Sequence, residues 1–234
     1  MDSQSAQRYA KTAGILIVVS SLAGAFGESY VPGRLLVANN AAETAHRMVD
    51  SIGLFRASFA AYLIEAMCDL TLTAIFYILL RPVSRPLSLI AVCFGIFGTA
   101  TFAVGEIFYF AAALPVINAN VARTLTPDAS AAFISVCLTM YGYVFSTFTA
   151  MYGIPVMLRG YLILRSGYLP RALGGIVLLG GAGFVIKNIV VVLAPQYDSN
   201  LFVLPLFLAM ASMAFWLLVK GIDRARWERM EQAQ

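Results

Sequence analysis

Six apolar stretches, roughly 12–31, 53–80, 87–115, 131–157, 172–194 and 200–219, divide this chain. Each is near the ~20 residues that a helix needs to cross a ~30 Å hydrocarbon core. Lipid offers no hydrogen bonds, so a crossing backbone must satisfy its own amides and carbonyls, which a helix does within one segment. Charged residues are 12% of the 234, about half the share in a soluble domain, and the mean hydropathy is +0.81. The prediction is all-α: a polytopic integral membrane bundle of six transmembrane helices, one membrane domain over 1–234, with the lipid bilayer as its first partner.

The separating pieces are turn-rich or charged: "RPVSRP" (81–86), "NANVARTLTPDAS" (118–130), "LRGYLILRSGYLPR" (158–171) and "APQYDSN" (194–200). No internal repeat or low-complexity tract is visible. "YAKTAGILIVVSSLAGA" has the basic flank and small residues of a cleavable leader, but apolar character runs on to about Tyr30. The expectation is a retained first helix.

Lys and Arg in short loops set orientation. With the N-terminus inside, the cytoplasmic pieces hold Arg8, Lys11, Arg81, Arg85, Arg159, Arg165, Arg171, Lys220, Arg224, Arg226 and Arg229, whereas the outer pieces hold Arg34, Arg47 and Arg123. Eleven against three predicts both termini in the cytoplasm. The net charge of +4 is thereby explained as topology, and no nucleic-acid partner is predicted. The closing "DRARWERMEQAQ" is expected to be a solvated helical extension with Trp227 at the interface.

Six ionisable residues fall inside or at the edges of the spans: Glu28, Arg56, Glu65, Asp69, Glu106 and Lys187. With the orientation above, all six lie in the outer half or at the midplane, which predicts a polar cavity open to the outer side and an inner half free of charge. A carboxylate at a helix centre costs ~3 kcal/mol and a good apolar residue returns ~0.5. Glu65 and Asp69, one turn apart on one helical face, would cancel most of what their helix offers, so they must face other helices or water. Four acids against two bases leave a surplus, which protons or a cationic ligand must quench. Arg56 lies nine residues before Glu65, on the opposite helical face by the 3.6-residue period, and is expected at the outer interface or on another helix. Lys187 is the better expected partner for the acid pair.

Other features point away from cofactor chemistry. His46, the one histidine, excludes a histidine-rich metal or haem site and is expected in a solvated loop. Cys68, Cys93 and Cys137 lie in three different apolar runs, a pattern of small buried residues rather than a disulfide framework or zinc site. A Schiff base on Lys187 has no further signature. Gly174, Gly175, Gly180, Gly181 and Gly183 suit close helix packing rather than a nucleotide loop. Tyr141, Tyr143, Ser146, Thr147, Thr149 and Tyr152 offer hydrogen bonds to a ligand or between helices. No cofactor and no metal is predicted.

"AAETAHRMVDSIGLFRASFAAYLIEAMCDLTLTAIFYILLRPVSRPLSLIAV" (41–92), "GYLILRSGYLPRALGGIVLLGGAGFVI" (160–186) and "FWLLVKGID" (215–223) resemble the bacterial membrane family known as domain of unknown function 4386. The likeness covers most of the chain, and "RSGYLPRALG" is its most specific piece. It implies a multi-pass protein of the bacterial inner membrane without an assigned activity. By that likeness Arg56, Asp69, Pro82, Pro170 and Arg171 fall on recurring positions, and Glu65 and Lys187 are not among them. The family supplies no catalytic motif.

Three functions stay open on the sequence. The cavity binds or moves a small cationic or proton-coupled ligand; the polar residues only hold a structural or assembly subunit together; or buried carboxylic acids act on a lipophilic, isoprenoid-type substrate, one donating and one removing a proton.

Overall fold

The computed structural model describes residues 2–38 and 40–233. Among the described residues, six helices are long and apolar enough to cross a membrane. They are α1 (Ser3–Leu35), α3 (Ile52–Leu80), α4 (Arg85–Ala111), α5 (Pro127–Ser166), α6 (Arg171–Leu193) and α7 (Leu204–Val219). A short amphipathic helix α2 (Ala41–Asp50) joins α1 to α3, and a last helix α8 (Arg224–Gln232) follows α7. Among the described residues there is no strand. The bundle has a terminal end, where Gln7 of α1 bonds the backbone of Lys220 and Ile222, and a loop end with the connections that follow α1, α4 and α6.

Local chemistry places the helix boundaries. Ser84 accepts from the Leu87 amide to start α4, and Thr126 accepts from the Ala129 amide to start α5, with Pro127 at a position where no helical donor is needed. Gly167, at φ 68°, ends α5 in the left-handed conformation that a side chain resists. At 40 residues α5 is about 60 Å long, twice a hydrocarbon core. It runs on to Ser166, past the span expected to close at 157, because "YLIL" after Gly160 keeps an apolar surface to bury.

Small residues let α5 and α6 touch backbone to backbone. A Cβ on Gly153 would meet the Gly181 carbonyl oxygen at 2.8 Å, and one on Gly181 the Met157 amide at 2.6 Å. Gly174, Gly180, Gly181 and Gly183 of α6 serve the close packing that the sequence suggests, whereas a Cβ on Gly175 would meet nothing within 4 Å. The outward faces carry Leu22, Met67, Phe97, Ile107, Leu179, Phe207 and Phe215, all exposed, which suits a lipid surround.

Two surface expectations are corrected. The C-terminal segment is not a solvated extension: Trp227 is 0% exposed, its indole N–H donates to the Leu79 carbonyl at 3.1 Å, and Glu231 pairs with Arg81 at 2.5 Å. The amphipathic period of α8 lets one face cover the foot of α3 while its arginines face outward. Cys68 and Cys137 are buried, but Cys93 is exposed on the outward face of α4, where a small apolar thiol costs nothing in lipid. His46 is exposed on α2 and pairs with Asp50 at 2.9 Å.

Candidate functional site: an acid-lined cavity in the bundle

A cavity of about 570 Å³ lies among the six long helices. Glu28 and Ser20 of α1, Glu65 and Asp69 of α3, and Lys187 of α6 line it, with a wall of Phe76, Phe102, Phe145, Phe148 and Phe184.

Glu28 reaches the cavity through an irregularity. Residues Ala25–Tyr30 form a π-helical turn inside α1, which inserts an extra residue and rotates the remainder of the helix, a device often found at functional positions. Glu28 accepts a hydrogen bond from the Tyr141 hydroxyl at 2.8 Å. Behind it Glu106, 2% exposed on α4, lies beside the Glu28 carboxyl group.

Glu65 sits closer to the midpoint of the bundle, its carboxyl group laid into the notch left by Gly24; a Cβ there would lie 2.6 Å from Oε1. Its Oε2 is buried and has no hydrogen-bond partner among the described residues. Asp69, one turn on and 7% exposed, is served by the Ser20 hydroxyl, which donates at 3.0 Å, and has the Tyr152 hydroxyl beside it.

The base facing this group is Arg159, not Lys187. Arg159 is 7% exposed, donates from Nη2 to Thr73 Oγ1 at 2.8 Å, lies 5.2 Å from the Phe76 ring centre, and sets its charge against Asp69. Beyond it, towards the terminal end, is a water-sized void of about 10 Å³ lined by Ser88, Tyr77 and Leu162. Two expectations therefore change. Arg159 is not a loop residue, because α5 stays helical and apolar past it. The half of the bundle nearer the termini is consequently not free of charge.

Lys187 lies on the cavity wall towards the loop end, where Nζ pairs with Asp198 at 2.8 Å and donates to Asn200 at 3.3 Å. It is not the partner of Glu65 and Asp69: after α6 the chain turns back and, eleven residues on from Lys187, presents a carboxylate to it. Arg56 is exposed on the opposite face of α3, outside the cavity, as the helical period requires. The structure thus gathers Glu28, Glu65, Asp69 and Lys187 around one space with Glu106 just behind, and leaves Arg56 out. Sequence reasoning missed Arg159, Ser20 and Thr73. The apolar residues on both sides of Arg159 were the available signal; the two hydroxyls had none.

Lys187 is neutralised by Asp198, so among the described residues Glu28, Glu65, Asp69 and Glu106 face a single inward base, Arg159. No three His, Cys, Asp or Glu side chains among those residues are grouped to hold a metal ion.

The family model described as "Domain of unknown function (DUF4386)" matches residues 12–221. An uncharacterized protein of Archaeoglobus fulgidus is 25% identical over 158 residues, 65% of this chain and 76% of that protein. No solved structure matches. The family match takes in residues of all six long helices and both sides of the cavity, and this multi-pass membrane protein belongs to the DUF4386 family.

Proposed function

We propose that the chain binds, and moves or exchanges, a small ligand carrying positive charge in the acid-lined cavity. The observation that carries this reading is the surplus of carboxyl groups around one space, with Arg159 as the single inward base. In a low-dielectric interior an unpaired carboxylate is strongly disfavoured, so protons or a bound cation must complete the site. A purely structural clamp would bring these groups into mutual contact and close the space between them. A space of about 570 Å³ is instead within the ~300–1,000 Å³ usual for small-molecule sites.

The membrane in question is the bacterial inner membrane, with both termini cytoplasmic. Taking Arg159 out of the eleven basic residues leaves ten at the terminal end against three at the loop end, so the positive-inside rule still holds. The wall holding Lys187 and Asn200 then lies towards the outer side. An impermeant maleimide should label Asp198→Cys in intact cells, in a background without the native cysteines; labelling only after lysis would invert the orientation.

The functional reading is tested on detergent-purified protein. Native mass spectrometry should show a retained small molecule, and the melting temperature should rise with added organic or inorganic cations as well as vary with pH. The variant Glu65→Gln/Asp69→Asn should lose the retained mass and the cation response while staying monodisperse. Unchanged retention and response in that variant would remove the site.

A further inference from the structure

We propose that the ligand is a hydrophobic organic cation, with its charged head at Glu65 and its apolar body against the phenylalanine wall. This deepens, and rests on, the reading of the cavity as a site for positive charge.

The acids alone would suit any cation; the walls narrow the class. Phe102 and Phe148 stack at 4.9 Å between ring centroids, Phe145 and Tyr152 continue the run at 5.7 and 5.2 Å from Phe148, and Phe184 closes it edge-on at 6.5 Å. A hydrated metal ion would leave this surface against water. An alkyl- or arylammonium ion would cover it, and aromatic faces attract a poorly hydrated cation as well as an apolar body.

The position of the head follows from what each acid already holds. Asp69 has Ser20, Tyr152 and the charge of Arg159. Glu28 has the Tyr141 hydroxyl. Glu106 keeps a buried Oε1 without a hydrogen-bond partner among the described residues, but it stands behind Glu28 rather than in the lining. Glu65 lines the cavity, and its buried Oε2 has no hydrogen-bond partner among the described residues. It is the vacant counter-ion. Arg159 at the far end repels a second positive charge, so the ligand is a monocation with one polar pole.

Benzyltrimethylammonium is the probe, with neopentylbenzene as its neutral isostere and tetramethylammonium and sodium as cations without an aryl body. Calorimetric titration of purified wild-type protein should give at least about tenfold tighter binding of benzyltrimethylammonium than of any of the other three. Glu65→Gln should lose about tenfold for this probe while leaving neopentylbenzene unchanged, and Phe148→Leu should narrow its advantage over tetramethylammonium. Equal binding of neopentylbenzene would overturn the assignment, because charge would not be read. Equal or tighter binding of sodium or tetramethylammonium would overturn the hydrophobic class while leaving the cation site standing. No binding by any of the four, with Glu65→Gln/Asp69→Asn equally inert to cations, would overturn both.

Discussion

Arg159→Met should destabilise the protein by about 3 kcal/mol, and the reason is what it leaves behind. The guanidinium is 7% exposed, bonded to Thr73 at 2.8 Å and packed on Phe76, with Asp69 also 7% exposed beside it. Among the described residues no direct ion pair joins them, so removing one charge should cost towards the low end of the ~3–5 kcal/mol of a contacting buried pair, because the other keeps its desolvation without its compensation. Ser20 still donates to Asp69, which also argues for the lower end. Asp69→Asn alone should cost a similar amount, since Arg159 would then be the uncompensated charge. The double variant Arg159→Met/Asp69→Asn buries neither charge and should cost far less than the sum, giving a coupling of at least about 2 kcal/mol. Reversible unfolding in detergent, monitored by circular dichroism for all four proteins, measures the cycle. Additivity within about 0.5 kcal/mol would refute the claim that these residues share one electrostatic site.

Packing sets three more outcomes. Trp227→Ala should cost about 3–5 kcal/mol in the same unfolding assay, as for a fully buried aromatic, whereas a solvated tail would show almost nothing. Gly160→Ala would press a methyl group to within 2.7 Å of Leu178 Cα, so a loss of about 1–3 kcal/mol and a lower melting temperature are expected. Tyr168, between α5 and α6, donates to the buried Leu79 carbonyl at 2.6 Å, and burial holds its phenol well above the ordinary value. Below about pH 10 it is neutral folded or unfolded; above that the unfolded chain ionises first, so stability falls with rising pH, and Tyr168→Phe should soften that alkaline fall while costing about 1 kcal/mol at neutral pH.

Much of the site could be read from the sequence because lipid makes charge expensive. A carboxylate in an apolar run stands out, so Glu65, Asp69 and Glu106 were visible as inward groups, and the helical period put Arg56 on the wrong face to join them. Lys187 stood out equally, but its partner Asp198 lies across a turn after α6 whose course no periodicity foretells. Arg159 was hidden by its neighbours: Gly160, Arg165 and Gly167 made the segment look like a loop. The helix runs through all the same, and a glycine stands at 160 because a Cβ there would press on Leu178 of α6, a contact that exists only once α6 is in place. Trp227 was misplaced for a similar reason, since the surface that buries it belongs to the foot of α3 and the Tyr168 turn.

The number of crossings, the helical class and the presence of inward acids needed nothing beyond the order of residues. Those follow from one-dimensional quantities: the length of apolar runs, the 3.6-residue period and the cost of charge in lipid. Which acid meets which base, and that Glu28 turns inward through a π-helical turn, emerged once the helices were packed. So did the wall that five phenylalanines from four helices share with Glu65. Such contacts depend on the rotation and approach of helices distant in sequence, which small residues such as Gly24, Gly160 and Gly181 permit but do not announce.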